Sequence, residues 1–218
     1  SFASGDEGYA VGAGGTIERF DGDGWTRERA NATEDLETVA SGSAGAIAGG
    51  AHGTLLRRGE DSWRAAPEAP GLVGGQTFTA SAALDDGTFL AAAGGAIVTA
   101  KGDGDWKAAE VAPLAQDVER LSGYRDLAGH LHVLALVNTG SDKILLDGDR
   151  HGWKPIPAPV GVRLVDAQLS GEGGRLWVIG MRGETPVAAR VQPPARTVAG
   201  TGNFLADDPA APIAAKDR

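Results

Sequence analysis

The side chains best suited to chemistry in this 218-residue chain are acidic. Three Asp-Gly-Asp triplets stand out: Asp21/Asp23, Asp103/Asp105 and Asp147/Asp149. Carboxylate oxygens at such positions could ligate calcium, but each triplet lacks the further Asp and the bidentate Glu of a calcium loop. Asp and Gly are also what tight turns require, for local hydrogen bonding and positive φ. The triplets are therefore read as turns. His130 and His132 share one strand face by the period of two. They would supply half of a metal site, yet no third ligand is evident, so a hydrogen-bonded or solvated pair is expected. His52 and His151 are the other two histidines. Glycoside hydrolysis needs two opposed carboxylates, and sialic acid chemistry would add a tyrosine nucleophile and an arginine cluster. Tyr9 and Tyr124 are the only tyrosines, and neither lies in a Tyr/Glu/Arg constellation. Spacing leaves open a carboxylate pair meeting across a central channel, so a glycosidase stays as an alternative. Gly12-Ala13-Gly14-Gly15 is followed by neither a helix pattern nor Lys-Ser/Thr, so it is no phosphate loop. There is no Gly-x-Ser-x-Gly elbow. With no cysteine in the chain, disulfides, thiolate catalysis and cysteine-based zinc sites are excluded. No catalytic, cofactor-binding or metal-ligating residue is assigned, and no cofactor is expected.

Charge narrows the partners. Lys and Arg total 20 against 29 Asp and Glu, a net charge of -9. An acidic chain without a basic run is a poor nucleic-acid binder, because phosphate contacts supply most of that affinity. Anionic lipid surfaces repel it as well. The longest apolar run, Leu131 to Val137, has strand length and falls far short of a bilayer-spanning helix.

The elements that must position these residues repeat. A Gly-rich step, a short apolar pair, an acidic turn and a Trp run from Gly14-Gly15-Thr16-Ile17 to Trp25. They recur from Gly53-Thr54-Leu55-Leu56 through Glu60-Asp61-Ser62 to Trp63, from Gly94-Gly95-Ala96-Ile97 to Trp106, and from Lys143-Ile144-Leu145 to Trp153. A small or apolar residue followed by Ser precedes each copy, at Ser4, Ser41, Ser81, Ser122 and Ser170. Ile17, Leu55, Ile97, Ile144 and Val187 are 38, 42, 47 and 43 residues apart. Within the second copy, Leu36–Ser41, Gly45–Gly49, Thr54–Arg58 and Trp63–Ala66 are strand-length segments separated by turn-length gaps.

Four strands in about 40–45 residues make a propeller blade. Blades bury each other's faces in a ring, and small residues fit the crowded axis, which suits 34 Gly in the chain. The expected fold is all-β: a β-propeller of about five four-stranded blades over residues 1–200, with a tail over 201–218. Trp25, Trp63, Trp106 and Trp153 should open the outermost strands, pack between blades and find partners for their indole N–H groups. The fifth copy lacks the Trp, as a terminal repeat that caps or closes a ring would. Only Ser1–Ser4 are available for the first innermost strand. Residues upstream, a fragment of a larger ring and a ring completed by a partner are all open. Asn31-Ala32-Thr33 fits a glycosylation acceptor but is read as an inter-blade loop.

The run from Gly8 to Trp25 resembles the bacterial neuraminidase repeat, or Asp-box, superfamily, in particular the photosystem II stability-factor-like propellers and their non-photosynthetic bacterial relatives. Of the Asp-box, the Asp, Gly and Trp are present here, with a shortened turn. The resemblance implies a non-catalytic assembly, adhesion or recognition platform in an envelope or lumenal compartment. It does not extend to photosystem assembly, since no arginine cluster matches the basic patch of that family.

A non-enzymatic protein-binding propeller is thus expected, serving as a structural or assembly subunit in a periplasmic, outer-surface or secreted setting. Its expected partner is another protein, with carbohydrate as the alternative ligand of a lectin. The fourth copy is the longest, and its loops at Asn138, Thr139, Ser141 and Asp142, and at Asp149, Arg150 and His151, are the candidate partner surface.

Overall fold

The computed structural model describes residues 1–59, 62–66, 75–109, 114, 117–126, 128–170 and 175–191. The acidic pair Glu60-Asp61, Gly171 and the expected tail 201–218 lie outside the described residues. Five antiparallel meanders follow one another along the chain. Blade one comprises β1 (Gly8–Gly12), β2 (Thr16–Phe20) and β3 (Trp25–Glu28). Blade two comprises β4 (Leu36–Gly42), β5 (Gly45–Gly50), β6 (Leu55–Arg58) and β7 (Trp63–Ala65). Blade three is β8 (Phe78–Ala83), β9 (Thr88–Ala93), β10 (Ala96–Lys101) and β11 (Lys107–Ala108). Blade four is β12 (Val118–Arg125), β13 (Leu131–Asn138), β14 (Lys143–Asp149) and β15 (Gly152–Ile156). Blade five is β16 (Arg163–Ser170), β17 (Arg175–Arg182) and β18 (Thr185–Val191). This is a β-propeller.

The repeated sequence step has a steric cause. The second glycine of each Gly-Gly pair lies where the next inter-blade link crosses it. A Cβ on Gly15, whose φ is +70°, would lie 2.0 Å from the Ala32 carbonyl oxygen, and one on Gly95 would lie 1.7 Å from that of Leu114. Only glycine lets the backbones approach so closely.

Blades pack in sequence. The first strand of each four-stranded blade packs on that of the next, β4 on β8, β8 on β12 and β12 on β16, and β1, which pairs with an inner segment at Phe2, packs on β4. Each of the four junctions has its own apolar core. Tyr9, Ile17, Ala46 and Leu56 fill the first, and Ile47, Phe78, Phe89 and Val98 the second. Leu90, Val118, Val133 and Val137 fill the third, and Leu134, Leu145, Leu176 and Val178 the fourth. Hydroxyls add cross-links near the axis. Ser41 donates to Ser1 Oγ at 3.1 Å, and Thr38 and Ser81 hydroxyls meet at 2.7 Å.

Among the described residues, no strand of blade five packs on blade one to a comparable extent. The burial of the second strands records the difference. In β9 every residue is buried, because neighbours cover both faces. In β17 the residues from Arg175 to Gly180 alternate exposed and buried.

Candidate functional site

The tryptophans are the repeat's fixed points: Trp25 and Trp63 open β3 and β7, Trp106 immediately precedes β11, and Trp153 is the second residue of β15. Trp63 is buried in the core between blades one and two, with its ring 5.5 Å from that of Tyr9. Its Nε1 donates to Glu28 Oε2 at 2.7 Å, and Arg58 Nε donates to the same oxygen at 2.8 Å. Burial would raise the Glu28 carboxyl, but the hydrogen bonds from Arg58 and Trp63 outweigh it and hold it below its ordinary value. Trp106 is buried between blades two and three, under the Arg57 guanidinium at 5.4 Å from the ring centroid. Its Nε1 is buried without a hydrogen-bond partner, so the expected indole partner exists for Trp63 and not for Trp106. Trp153 packs against the core of blades three and four and covers Gly148, where a Cβ would lie 2.6 Å from its ring. Each of these three rings thus faces the blade before its own. Trp25 is 47% exposed, against Phe2 and Phe20.

The Ser residues of the repeat fall in two settings. Ser41, Ser81 and Ser122 lie on β4, β8 and β12, and Ser122 lines a shallow cleft with Arg120 and Gln168. Ser170 ends β16. Ser4 lies in a turn, where its Oγ accepts from the Asp6 amide at 3.2 Å.

The acidic triplets separate. Asp21 Oδ1 accepts the amides of Asp23 and Gly24 at 3.2 and 3.1 Å, so its turn uses that oxygen. These amides, that of Gly24 foremost, hold the Asp21 carboxyl below its usual value. Asp103 and Asp105 also flank a turn. The third triplet is not a turn: Asp147 and Gly148 lie inside β14, opposite Lys154 and Trp153. Asp147 is fully buried, and Tyr124 donates to its Oδ1 at 3.2 Å. His132 Nδ1 lies 3.4 Å from the same oxygen, and its Nε2 lies 3.5 Å from Asp126 Oδ2. His130 Nδ1 is 3.3 Å from that Asp126 oxygen, and the Tyr124 ring stacks on His132 at 5.0 Å. The histidine pair is hydrogen-bonded to carboxylates. His130 lies outside β13 while His132 lies within it. Among the described residues, no group of three or more His, Asp or Glu is placed to hold a metal ion.

The meander decides which loops share a rim. In a four-stranded blade, the turn after the first strand and the turn after the third lie on one edge, and the turn after the second lies on the other. Asn138, Thr139, Ser141 and Asp142 form the β13–β14 turn, closed by the Thr139 amide donating to the Asp142 carbonyl at 2.8 Å. Asp149, Arg150 and His151 form the β14–β15 turn, where the His151 amide donates to Asp149 Oδ1 at 2.8 Å. These two candidate segments therefore lie at opposite ends of β14, separated by about 20 Å for a seven-residue strand. They do not make one surface. The structure instead brings together turns that sequence reading kept apart. Asp6, Asp21 and Asp23 of blade one and Asp85, Asp103 and Asp105 of blade three are exposed on a single rim. Asp86 beside them is paired with Arg125 at 2.9 Å.

No described protein family and no curated protein matches the chain. Solved structures do. The chain is similar to YCF48 bound to D1 peptide, at 22% identity and a TM-score of 0.61, over 86% of this chain and 62% of that one. It is similar to YCF48 from Cyanidioschyzon merolae, at 18% identity and a TM-score of 0.58, over 87% and 70% of the two chains. It also resembles PorZ, a surface component of the type-IX secretion system of Porphyromonas gingivalis, at 15% identity and a TM-score of 0.57, over 86% and 34%. The chain thus spans 62% of the length of the first of these structures. At these identities the likeness concerns the fold, and the three neighbours establish that fold as a propeller.

Proposed function

We propose that the protein is a non-enzymatic, protein-binding propeller. It acts as a structural or assembly subunit of a complex in the periplasm, on the outer surface or outside the cell. The observation that carries this reading is the acidic rim, where turns of blades one and three expose carboxylates on one edge of the propeller. Like charges held together by a rigid scaffold favour a cationic partner and steer its approach. A basic segment of another protein meets that requirement. The neighbours support the class of function: one is named as bound to a peptide and another as a secretion-system component. We read the repeat as a divergent Asp-box.

The test is affinity purification from the native organism with mild crosslinking and mass spectrometry. The expected result is a stoichiometric complex whose crosslinks fall on the rim of Asp21, Asp85 and Asp103. The triple variant Asp21→Asn, Asp85→Asn, Asp103→Asn should lose the partner by about tenfold at low salt and keep the wild-type melting curve. Recovery of the protein alone, as a monomer, overturns the reading. Glycan arrays and chromogenic glycosides then decide between a lectin and a hydrolase.

A further inference from the structure

Blade four buries a titratable group that neither the rim nor the repeat uses. His132 is buried on β13, and both of its ring nitrogens face carboxylates. Nδ1 lies 3.4 Å from Asp147 Oδ1, and Nε2 lies 3.5 Å from Asp126 Oδ2. The two acids belong to different parts of the blade. Asp147 is fully buried within β14, whereas Asp126 follows β12 in the turn that leads to β13. That turn is closed by the Asp126 amide donating to the His130 carbonyl at 3.0 Å.

A carboxylate oxygen accepts hydrogen bonds and donates none. Each of the two contacts therefore needs its own proton, and a neutral imidazole carries only one. Both acids stand as acceptors. Asp126 Oδ1 takes the Ala128 and His130 amides at 2.9 and 2.8 Å, and Asp147 Oδ1 takes the Tyr124 hydroxyl at 3.2 Å. The Tyr124 ring also stacks on His132 at 5.0 Å, and an aromatic face attracts a cation. Among the described residues, the other ionisable groups around the ring are few. His130 Nδ1 lies 3.3 Å from Asp126 Oδ2, Lys154 stands opposite Asp147 across β14 and β15, and Asp149 ends β14. Further along the same strands, Arg120 pairs with Asp166 and Lys143 with Glu119, while Arg125 turns to Asp86 of blade three. Blade five meets this face with the apolar side chains of Leu169, Leu176 and Val178.

We propose that His132 is a buried imidazolium that clamps the Asp126 turn to Asp147, and that loss of its proton in alkali releases the turn. Deprotonation sets a ring lone pair against a carboxylate oxygen and leaves Asp147 buried without its cation. Asp147 is held in the ladder between Leu134 and Lys154, whereas Asp126 sits in a turn, so the turn is the part that gives. A histidine held charged by its fold contributes fully below its unfolded value, about 6.5. It loses that contribution as pH rises through the folded value. The device does not depend on what the acidic rim binds.

The test is an NMR pH titration of the whole protein with nitrogen-labelled histidine, with amide exchange read in parallel. At about pH 8, where a free imidazole has lost its second proton, His132 should keep both ring N–H groups. Protection of the Ala128 and His130 amides, corrected for the intrinsic pH dependence of exchange, should fall about tenfold or more as the ring deprotonates. Asp147→Asn removes the buried charge and keeps the shape of the side chain, so it should weaken the ring's hold on its proton by about tenfold or more. In His132→Gln, protection of the two amides should no longer change with pH. The wild-type titration decides even where a variant misfolds. A His132 ring with a single proton at about pH 8 overturns the proposal. So does amide protection that stays constant while the wild-type ring titrates.

Discussion

At the residue scale, Glu28 is the pivot of the first junction. One carboxylate on blade one receives both Arg58 and the Trp63 indole from blade two. The side chains of Arg58 and Glu28 are 13% and 18% exposed, so neither is well solvated. Glu28→Ala would leave the indole donor and the guanidinium without this acceptor. The expected cost is about 1–3 kcal/mol, the penalty of an unsatisfied buried group, read as a lower urea midpoint with unchanged m-value. Asp147 makes a second case. It is buried at the centre of the Tyr124 and His132 contacts, and Asp147→Ala should cost a similar amount, about 1–3 kcal/mol, in the same measurement. Half-buried Asp149 and exposed Asp105 show why sequence could not rank these acids. All belong to Asp-Gly-Asp triplets, and only the pairing of β14 with β15 turns Asp147 inward.

At the element scale, the strands were legible and their irregularities were not. Alternation of apolar residues and turn signals marked β4 to β7 within a residue or two, because local pattern specifies strand and turn. The four innermost strands β4, β8, β12 and β16 each slip register near their start, between Leu36 and Thr38, Phe78 and Ala80, Val118 and Arg120, and Leu164 and Asp166. Nothing local predicts these bulges, which bend a strand to suit its neighbours. The glycine pair before β2 was visible in sequence, and the structure separates its two members. Both have positive φ, but a Cβ on Gly14 would meet nothing within 4 Å, whereas one on Gly15 would strike the Ala32 carbonyl. Gly14→Ala should therefore cost about 1–2 kcal/mol, the price of the left-handed conformation. Gly15→Ala adds a backbone clash and should cost more, by about 1–3 kcal/mol. Chemical denaturation of the two variants side by side measures that difference.

At the scale of the whole molecule, the rims were beyond sequence reading, because they depend on which turns the meander brings together. The same arrangement sets the response to acid. Depressed carboxylates occur in blades one, three and four. Burial would raise Asp86, but Thr88 and Arg125 outweigh it; Lys143 lowers Glu119; burial opposes the lowering of Asp126 by the His130 and Ala128 amides and the His130 ring. Glu28 is lowered as well. A carboxyl whose value is lower folded than unfolded contributes stability above its unfolded value and loses it as pH falls through the folded one. The ordinary values are 3.8 for Asp and 4.5 for Glu. Stability should thus be level from neutral pH down to about 5 and fall steeply below about 4.5, as the unfolded chain takes up protons first. Protonation also relieves the repulsion of a net charge of -9, which acts the other way but is spread over the surface and screened by salt. The paired carboxylates should prevail, so urea midpoints measured against pH at moderate salt should decline through this window. In Glu28→Gln, whose amide does not titrate, the decline should be shallower, and an unchanged slope would remove Glu28 from the acid response.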